Sequence, residues 1–486
     1  MADHILVLDE GTTSTRAVLF APDGTALRTA QADLTQHYPG PGRVEHDANE
    51  IWECTLACAR EVAEGAIDSI AAIGITNQRE TVVAWDGESG EPLAPAIVWQ
   101  DRRTAPDCAR LKEAGHEERV QARTGLLLDP YFSATKMAWM LREQVAVREA
   151  AQAGRLRLGT VDSWLAFKLT GAHVTDASNA SRTLLLPLEG ADWDEELCDL
   201  FGVPRAALPR VVDTHGALGQ TRLEWFGRSV PVAAMIGDQQ AATVGQGCLE
   251  PGHTKATYGT GAFVLTHSGQ TPPRSNNRLL ATVLAQADGV RSYALEGSLF
   301  VAGSLVQWLR DGLGILGSAA ETEELARSID DSAGITIVPA LSGLGAPYWQ
   351  PEARGVITGL SFATGKAQIA RAALEAMAHQ THDLAEAFAA DGAAWDTLAI
   401  DGGMSANDWM AQDLADMLAL PVTRPAFIET TALGAAVAAA AGVGLYPDLA
   451  SAAKAMSSRK TCFEPRLDES RRQARLAAWR KALKAI

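Results

Sequence analysis

The sequence predicts an α/β protein of two domains, and three observations carry that expectation. Short apolar runs that suit buried strands alternate with longer segments of helical periodicity. A strand–turn–strand pattern rich in Gly and Thr stands near the start and recurs just past the middle. The length of 486 residues exceeds what one hydrophobic core usually supports.

The first element is the clearest. Ile5-Leu6-Val7-Leu8 enters a turn of Asp9, Glu10, Gly11, Thr12, Thr13 and Ser14, and Ala17-Val18-Leu19-Phe20 leaves it. This reads as two buried strands joined by a hairpin tip. The tip's backbone N–H groups and hydroxyls suit a phosphate, and its carboxylate suits a metal. A strand is expected over residues 70–76, ending in the polar cluster Thr76-Asn77-Gln78-Arg79-Glu80-Thr81. Ile97-Val98-Trp99-Gln100-Asp101-Arg102-Arg103 sets an aromatic beside charges, and Asp129-Pro130-Tyr131-Phe132-Ser133 adds a phenol. Ala233-Ala234-Met235-Ile236-Gly237-Asp238 places a carboxylate where a strand meets a helix.

The stretch 245–252 contains Gly and Pro251, which suggests a boundary between a domain over 1–247 and another over 248–486. Thr254-Lys255-Ala256-Thr257-Tyr258-Gly259-Thr260-Gly261-Ala262-Phe263 then repeats the hairpin, and two such hairpins facing each other would clamp one nucleotide. Residues 368–388 read as one long amphipathic helix. Leu398-Ala399-Ile400-Asp401-Gly402-Gly403-Met404-Ser405-Ala406-Asn407 reads as strand, double-Gly turn and helix entry, with Ser405 or Asn407 as cap. Residues 430–446 carry no charge and are rich in Ala and Gly, yet are too few to span a bilayer, so a buried, closely packed helix is expected. Residues 469–484 read as a final helix with a solvated basic face.

Composition narrows the function. Hydrophobic content of 47% and charged content of 21% describe a soluble globular chain. The net charge of −17 argues against nucleic acid and anionic membrane as partners. Six scattered Cys without zinc spacing suggest reduced thiols and the cytoplasm, and no signal peptide is seen. The P-loop template fails: Gly359-Leu360-Ser361-Phe362-Ala363-Thr364-Gly365-Lys366-Ala367 has one residue too many and lacks the final Ser or Thr. No GxGxxG follows a strand.

Several positions keep two readings. The Gly402-Gly403 turn is either a tight connection or a close approach to a ligand. Asp238 is either an N-cap or a general base for a hydroxyl proton. Arg79 and Glu80 are either a surface ion pair or the donor and acceptor that vicinal hydroxyls require. His379 and His382, one helical turn apart, have no third metal ligand and read as surface histidines.

Taken together and in order, these segments resemble the FGGY carbohydrate kinase family, and in particular its glycerol-phosphorylating members. The resemblance runs through Asp9-Glu10-Gly11-Thr12-Thr13-Ser14, Thr76 to Thr81, Trp99-Gln100-Asp101-Arg102, Asp129 to Lys136, Gly237-Asp238-Gln239-Gln240, Tyr258-Gly259-Thr260-Gly261, Gly345-Ala346-Pro347-Tyr348-Trp349 and Glu429-Thr430-Thr431-Ala432-Leu433-Gly434. It implies an α/β fold of two ribonuclease-H-like domains, of the actin and hexokinase type, with a catalytic cleft between them. It also implies ATP, Mg2+ and glycerol as ligands and a homodimer or homotetramer. By resemblance Arg79, Glu80, Tyr131, Asp238 and Gln239 bind glycerol, Trp99 and Phe263 pack on its carbons, and Asp238 is the base. Thr12, Thr13, Ser14 and Arg16 match the first phosphate loop. Thr260, Gly303, Gln307, Gly403 and Asn407 match the nucleotide contacts of the second domain, and Asp9 the carboxylate near magnesium.

Two departures stand out. Glu10 occupies a position where most such members have Gln, and a carboxylate beside the phosphate loop is expected to repel phosphate unless it turns away or shares the metal. The stretch 223–230 lacks the Gly-Gly loop with Arg that binds a sugar bisphosphate inhibitor in some members, with Ser229 at the Arg position, so no such feedback inhibition is expected.

Overall fold

The computed structural model describes every residue except Met1, Pro351 and Ile428. Two mixed sheets organise the chain. The first has six strands in the order His215–Gln220, Pro231–Gly237, Ile70–Asn77, His4–Glu10, Ser14–Phe20, Ala26–Asp33. Its centre is the opening hairpin: His4–Glu10 pairs antiparallel with Ser14–Phe20 and parallel with Ile70–Asn77, which in turn runs parallel to Pro231–Gly237. The second sheet has seven strands and repeats the plan. Thr254–Tyr258 pairs antiparallel with Ala262–Gly269 and parallel with Leu398–Asp401. Both hairpins expected from the sequence are therefore present, each at the middle of its sheet.

The strand period of two explains how the opening strand serves two cores. Leu6 and Leu8 pack with Ile51, Trp52 and Ala59 of the helix Ala48–Ala63 on one face. Ile5 and Val7 pack on the other, with Ala432 to Ala440 of the helix Thr430–Gly442. That helix comes from the second half of the sequence yet lies on the first sheet. Its small residues allow backbone contact: a Cβ on Gly434 would stand 1.8 Å from the Ala241 carbonyl oxygen, and one on Gly245 would stand 2.1 Å from that of Thr430. The expectation of a buried, closely packed helix holds here.

A four-stranded sheet, Glu45–His46, Ala96–Ile97, Val82–Asp86 and Leu156–Thr160, extends the first half. It presents Trp99 and Tyr131 from the loops around it. The 25-residue helix Lys366–Ala390 forms the spine of the second half. His379 and His382 lie on it but are buried, which corrects the surface reading. His379 stacks on Trp479 of the last helix at 5.3 Å, and His382 Nδ1 faces Glu386 at 3.9 Å. The neighbouring Asp383 already accepts from Trp479 Nε1 and Tyr348 Oη, so this cluster docks the C-terminal helix. That helix, Glu469–Leu483, is less solvated than expected: Arg475 pairs with the buried Asp413, and Trp479 is fully buried. The loop that nearly matched a P-loop leads into Lys366, which bonds Glu321. Among the described residues no helix is long and apolar enough to cross a membrane.

Candidate active site

Three strand ends of the first sheet point their loops to one edge. His4–Glu10 delivers Asp9 and the tip Thr12–Ser14; Ile70–Asn77 delivers Arg79 and Glu80; Pro231–Gly237 delivers Asp238. Parallel neighbours end on the same side, so one edge collects the polar residues. Asp238 is the first residue of the helix Asp238–Gly245, whose cap position is Gly237. It is thus not an N-cap. Its side chain is about a third exposed, at 32%, and one oxygen lies 3.2 Å from Arg79 Nε.

Arg79 and Glu80 are not a surface pair either: they are 3% and 1% exposed. Arg79 forms a two-pronged bond with Glu296, Nη1 to Oε2 at 2.6 Å and Nη2 to Oε1 at 3.2 Å. Arg182 completes a ring of charges, donating from Nε to Glu80 at 2.6 Å and from Nη2 to Glu296 at 3.0 Å. Burial alone would raise the Glu296 pKa, but Arg182 and Arg79 outweigh it and hold it down at about 2. Glu80 adopts φ of 63°, a left-handed conformation that costs energy in any residue but Gly. Ser133 Oγ donates to the Glu80 carbonyl at 3.0 Å and helps hold it there.

One wall is aromatic. Trp99 and Tyr131 meet edge to face at 5.6 Å, and the Arg182 guanidinium lies over the Tyr131 ring at 5.6 Å. The buried Lys136 donates to the Tyr131 carbonyl at 2.7 Å, and Arg102 pairs with Asp129 at 2.7 Å. Trp99 Nε1 donates to Thr12 Oγ1 at 2.9 Å, which ties this wall to the first hairpin tip.

The hairpin tips differ from each other. At the first, Arg16 pairs with Glu429 at 2.5 Å. At the second, the Gly259 and Thr260 carbonyls accept from the backbone N–H groups of Gly303 and Ala302, so the tip rests on the start of the short helix Gly303–Gln307. Thr260, Gln307 and Gly403 are exposed there, and Phe263 is half-buried. Asn407 caps the helix Asp408–Leu418 through Oδ1 to Met410 N–H, and its Nδ2 donates to Thr322. Among the described residues the Asp9 carboxylate accepts no hydrogen bond; burial pushes its pKa up to about 6, Arg16 opposes this, and Asp238 and Glu429 add to it.

Glu10 takes one of the two alternatives the sequence left open: it is turned away from the phosphate loop and does not join Asp9. Alternation along the strand turns it to the opposite face, where it is fully buried and accepts from Thr55 Oγ1 at 3.3 Å. Burial raises its pKa well above the ordinary carboxylate range, which favours the protonated form. The protonated form resembles the amide it replaces.

Glu296, Arg182 and Lys255 escaped the sequence reading. Glu296 and Lys255 did leave a signal: each is a charge in the interior of a segment that reads as a strand, Val290–Leu299 and Thr254–Tyr258 respectively. Such a charge needs a buried partner.

Comparisons with known proteins identify the family. The N-terminal domain of the FGGY family of carbohydrate kinases matches residues 4–245, and the C-terminal domain of that family matches residues 254–443. A glycerol kinase of Rhodospirillum centenum is 53% identical over 485 residues, covering 99% of this chain and 97% of that protein. A glycerol kinase of Rhodospirillum rubrum is 52% identical, covering 99% and 98%. The crystal structure of Plasmodium falciparum glycerol kinase with ADP superposes with a TM-score of 0.94 at 32% identity, over 100% of this chain and 98% of that one. With two family domains spanning both halves and relatives matched end to end, this chain belongs to the FGGY family of carbohydrate kinases.

Proposed function

We propose that this chain transfers the γ-phosphoryl group of ATP to a terminal hydroxyl of glycerol, giving sn-glycerol 3-phosphate. The observation that carries the reading is the buried ring of Arg79, Glu80, Arg182 and Glu296 beside a solvent-reached Asp238. Arg79 and Glu80 offer a rigid donor and acceptor to neighbouring hydroxyls, with Tyr131 and Gln239 completing the polar set. Trp99 and Phe263 cover the carbons. Two aromatics over the carbons suit a triol better than a ketopentose.

Asp238 accepts the proton of the attacking hydroxyl, an effect worth about 10²–10⁴-fold. Arg79 holds one Asp238 oxygen at 3.2 Å, which leaves the other to face substrate. The hydroxyls and N–H groups of Thr12, Thr13 and Ser14, with Arg16, meet the phosphates from the first half. Thr260, Gly303, Gln307, Gly403 and Asn407 meet the nucleotide from the second. Closure of the two halves excludes water and limits wasteful hydrolysis of ATP.

The residues at the first tip also fit a divalent cation. Among the described residues the Asp9 carboxylate has no protein donor of its own, and Asp9 lies near two further carboxylates, Asp238 paired with Arg79 and Glu429 paired with Arg16. Asp9 would hold Mg2+, directly or through water, and the ion would offset charge on the phosphates. The reaction and its ligands suit the cytoplasm.

A panel of polyols and sugars with ATP tests the reading. Glycerol is expected to give the highest kcat/KM; a higher value for xylulose or gluconate would overturn it.

A further inference from the structure

Lys255 stands in the middle of the strand Thr254–Tyr258 and is fully buried. An isolated ammonium in such a place is unfavourable unless it is paired and hydrogen-bonded. Here Nζ donates to Gln239 Oε1 at 2.5 Å and to Thr257 Oγ1 at 3.0 Å. The strand belongs to the second sheet, whereas Gln239 is the second residue of the helix that begins at Asp238 and sits on the first. The bond therefore crosses between the halves, one residue from the base. Asp401 on Leu398–Asp401, Asp238, and Glu296 on Val290–Leu299 favour the charged amine; burial and Arg79 oppose it, and the pKa settles at about 8.

The chemistry of the pair has a directional consequence. An ammonium has donors only, so it selects the oxygen of the Gln239 amide. The NH2 group is then left without a protein partner among the described residues, although the side chain is largely buried. We propose that Lys255 is a positioning residue that locks the Gln239 amide with its NH2 toward the cleft, so that the site offers a donor there beside the acceptor Asp238. The polyol then meets a fixed pattern: one oxygen gives its proton to Asp238, and another oxygen receives a hydrogen bond from Gln239. The inference rests on reading Gln239 as a substrate ligand.

The test compares glycerol kinetics and melting temperature for wild type, Lys255→Met, Gln239→Ala, the double variant and Gln239→Glu. Lys255→Met is expected to raise KM for glycerol by about tenfold with a much smaller change in kcat, in line with loss of a charge-assisted contact. The double variant is expected to be no worse than Gln239→Ala alone, because one residue acts through the other. Gln239→Glu keeps an acceptor for Lys255 but loses the NH2 donor, and is expected to raise KM as far as Gln239→Ala. Additive losses in the double variant, or a wild-type KM for Gln239→Glu, would overturn the inference. If Lys255→Met does not fold, Lys255→Gln takes its place in the same comparison, and a wild-type KM for Gln239→Glu still overturns the inference by itself. If the wild type turns over another polyol instead of glycerol, the function proposed above falls, and the same comparison on that polyol still decides the role of Lys255.

Discussion

Glu10 shows how geometry decides between alternatives that the sequence leaves open for a single residue. Beside Asp9 in the chain, it reads as a second carboxylate at a phosphate site. The alternation of a strand puts the two on opposite faces, and burial raises the Glu10 pKa. The sign of its effect on stability follows. A carboxyl whose folded pKa is raised contributes fully below its unfolded value of about 4.3, and that contribution is lost as pH rises toward the folded value. Glu10→Gln is therefore expected to raise the melting temperature more at pH 8 than at pH 5, with little change in activity at pH 7; an equal shift at both pH values would contradict this. Glu296 has the opposite sign. Its pKa is held at about 2, so its stabilisation is present at neutral pH and is lost as pH falls from about 4.3 to 2. Glu296→Gln leaves Arg79 and Arg182 short of a buried partner. Loss of one partner of such a pair typically costs about 3–5 kcal/mol, so unfolding in denaturant should show a loss of that order, together with a higher KM for glycerol. The motif Thr76 to Thr81 was legible in sequence as chemistry. Its burial, the φ of 63° at Glu80 and its partners Arg182 and Glu296 were not, since they come from segments far away in the chain.

At the scale of elements, the hairpins and the long helix were readable because each carries its own period and its own turn residues. The helix Thr430–Gly442 was readable as buried, but not as a neighbour of the first sheet. What places it there is the pairing of Gly434 and Gly245 with carbonyls of the opposite helix, a fact of close approach that a single sequence does not display. This contact sets the position of the helix bearing Asp238. Gly434→Ala puts a methyl group 1.8 Å from the Ala241 carbonyl oxygen, so the helices must part. Overpacking of this kind costs about 1–3 kcal/mol. The variant is expected to lose that much stability by denaturant titration and to lose kcat as well, because Asp238 moves with its helix. Unchanged kcat would show that the helix contact does not position the base.

At the scale of the molecule, two sheets of similar plan are bridged by polar bonds at the cleft. Arg79 and Arg182 reach Glu296, Lys255 reaches Gln239, Arg16 reaches Glu429, and Gln246 reaches Asp401. Away from these bonds the helix Thr430–Gly442 shares an apolar core with the first sheet. Charged contacts are compatible with opening and closing, whereas an apolar interface resists them. Away from the cleft, the short helix Leu223–Phe226 packs Trp225 edge to face on Trp52 at 5.0 Å, and Ser229 Oγ donates to the Thr221 carbonyl. With Ser229 engaged locally and no arginine at that position, fructose bisphosphate is expected to leave glycerol phosphorylation unchanged. A clear inhibition in a coupled assay would reverse that expectation. The central claim is that Asp238, held by Arg79 at the start of its helix, takes the proton of a glycerol hydroxyl as phosphate is transferred. The most direct measurement is phosphoryl transfer from Mg–ATP to glycerol by wild type and Asp238→Asn under the same conditions. The account predicts rapid formation of sn-glycerol 3-phosphate by wild type and a kcat about 10²–10⁴-fold lower for Asp238→Asn with the fold intact; near-equal rates from the two would contradict it.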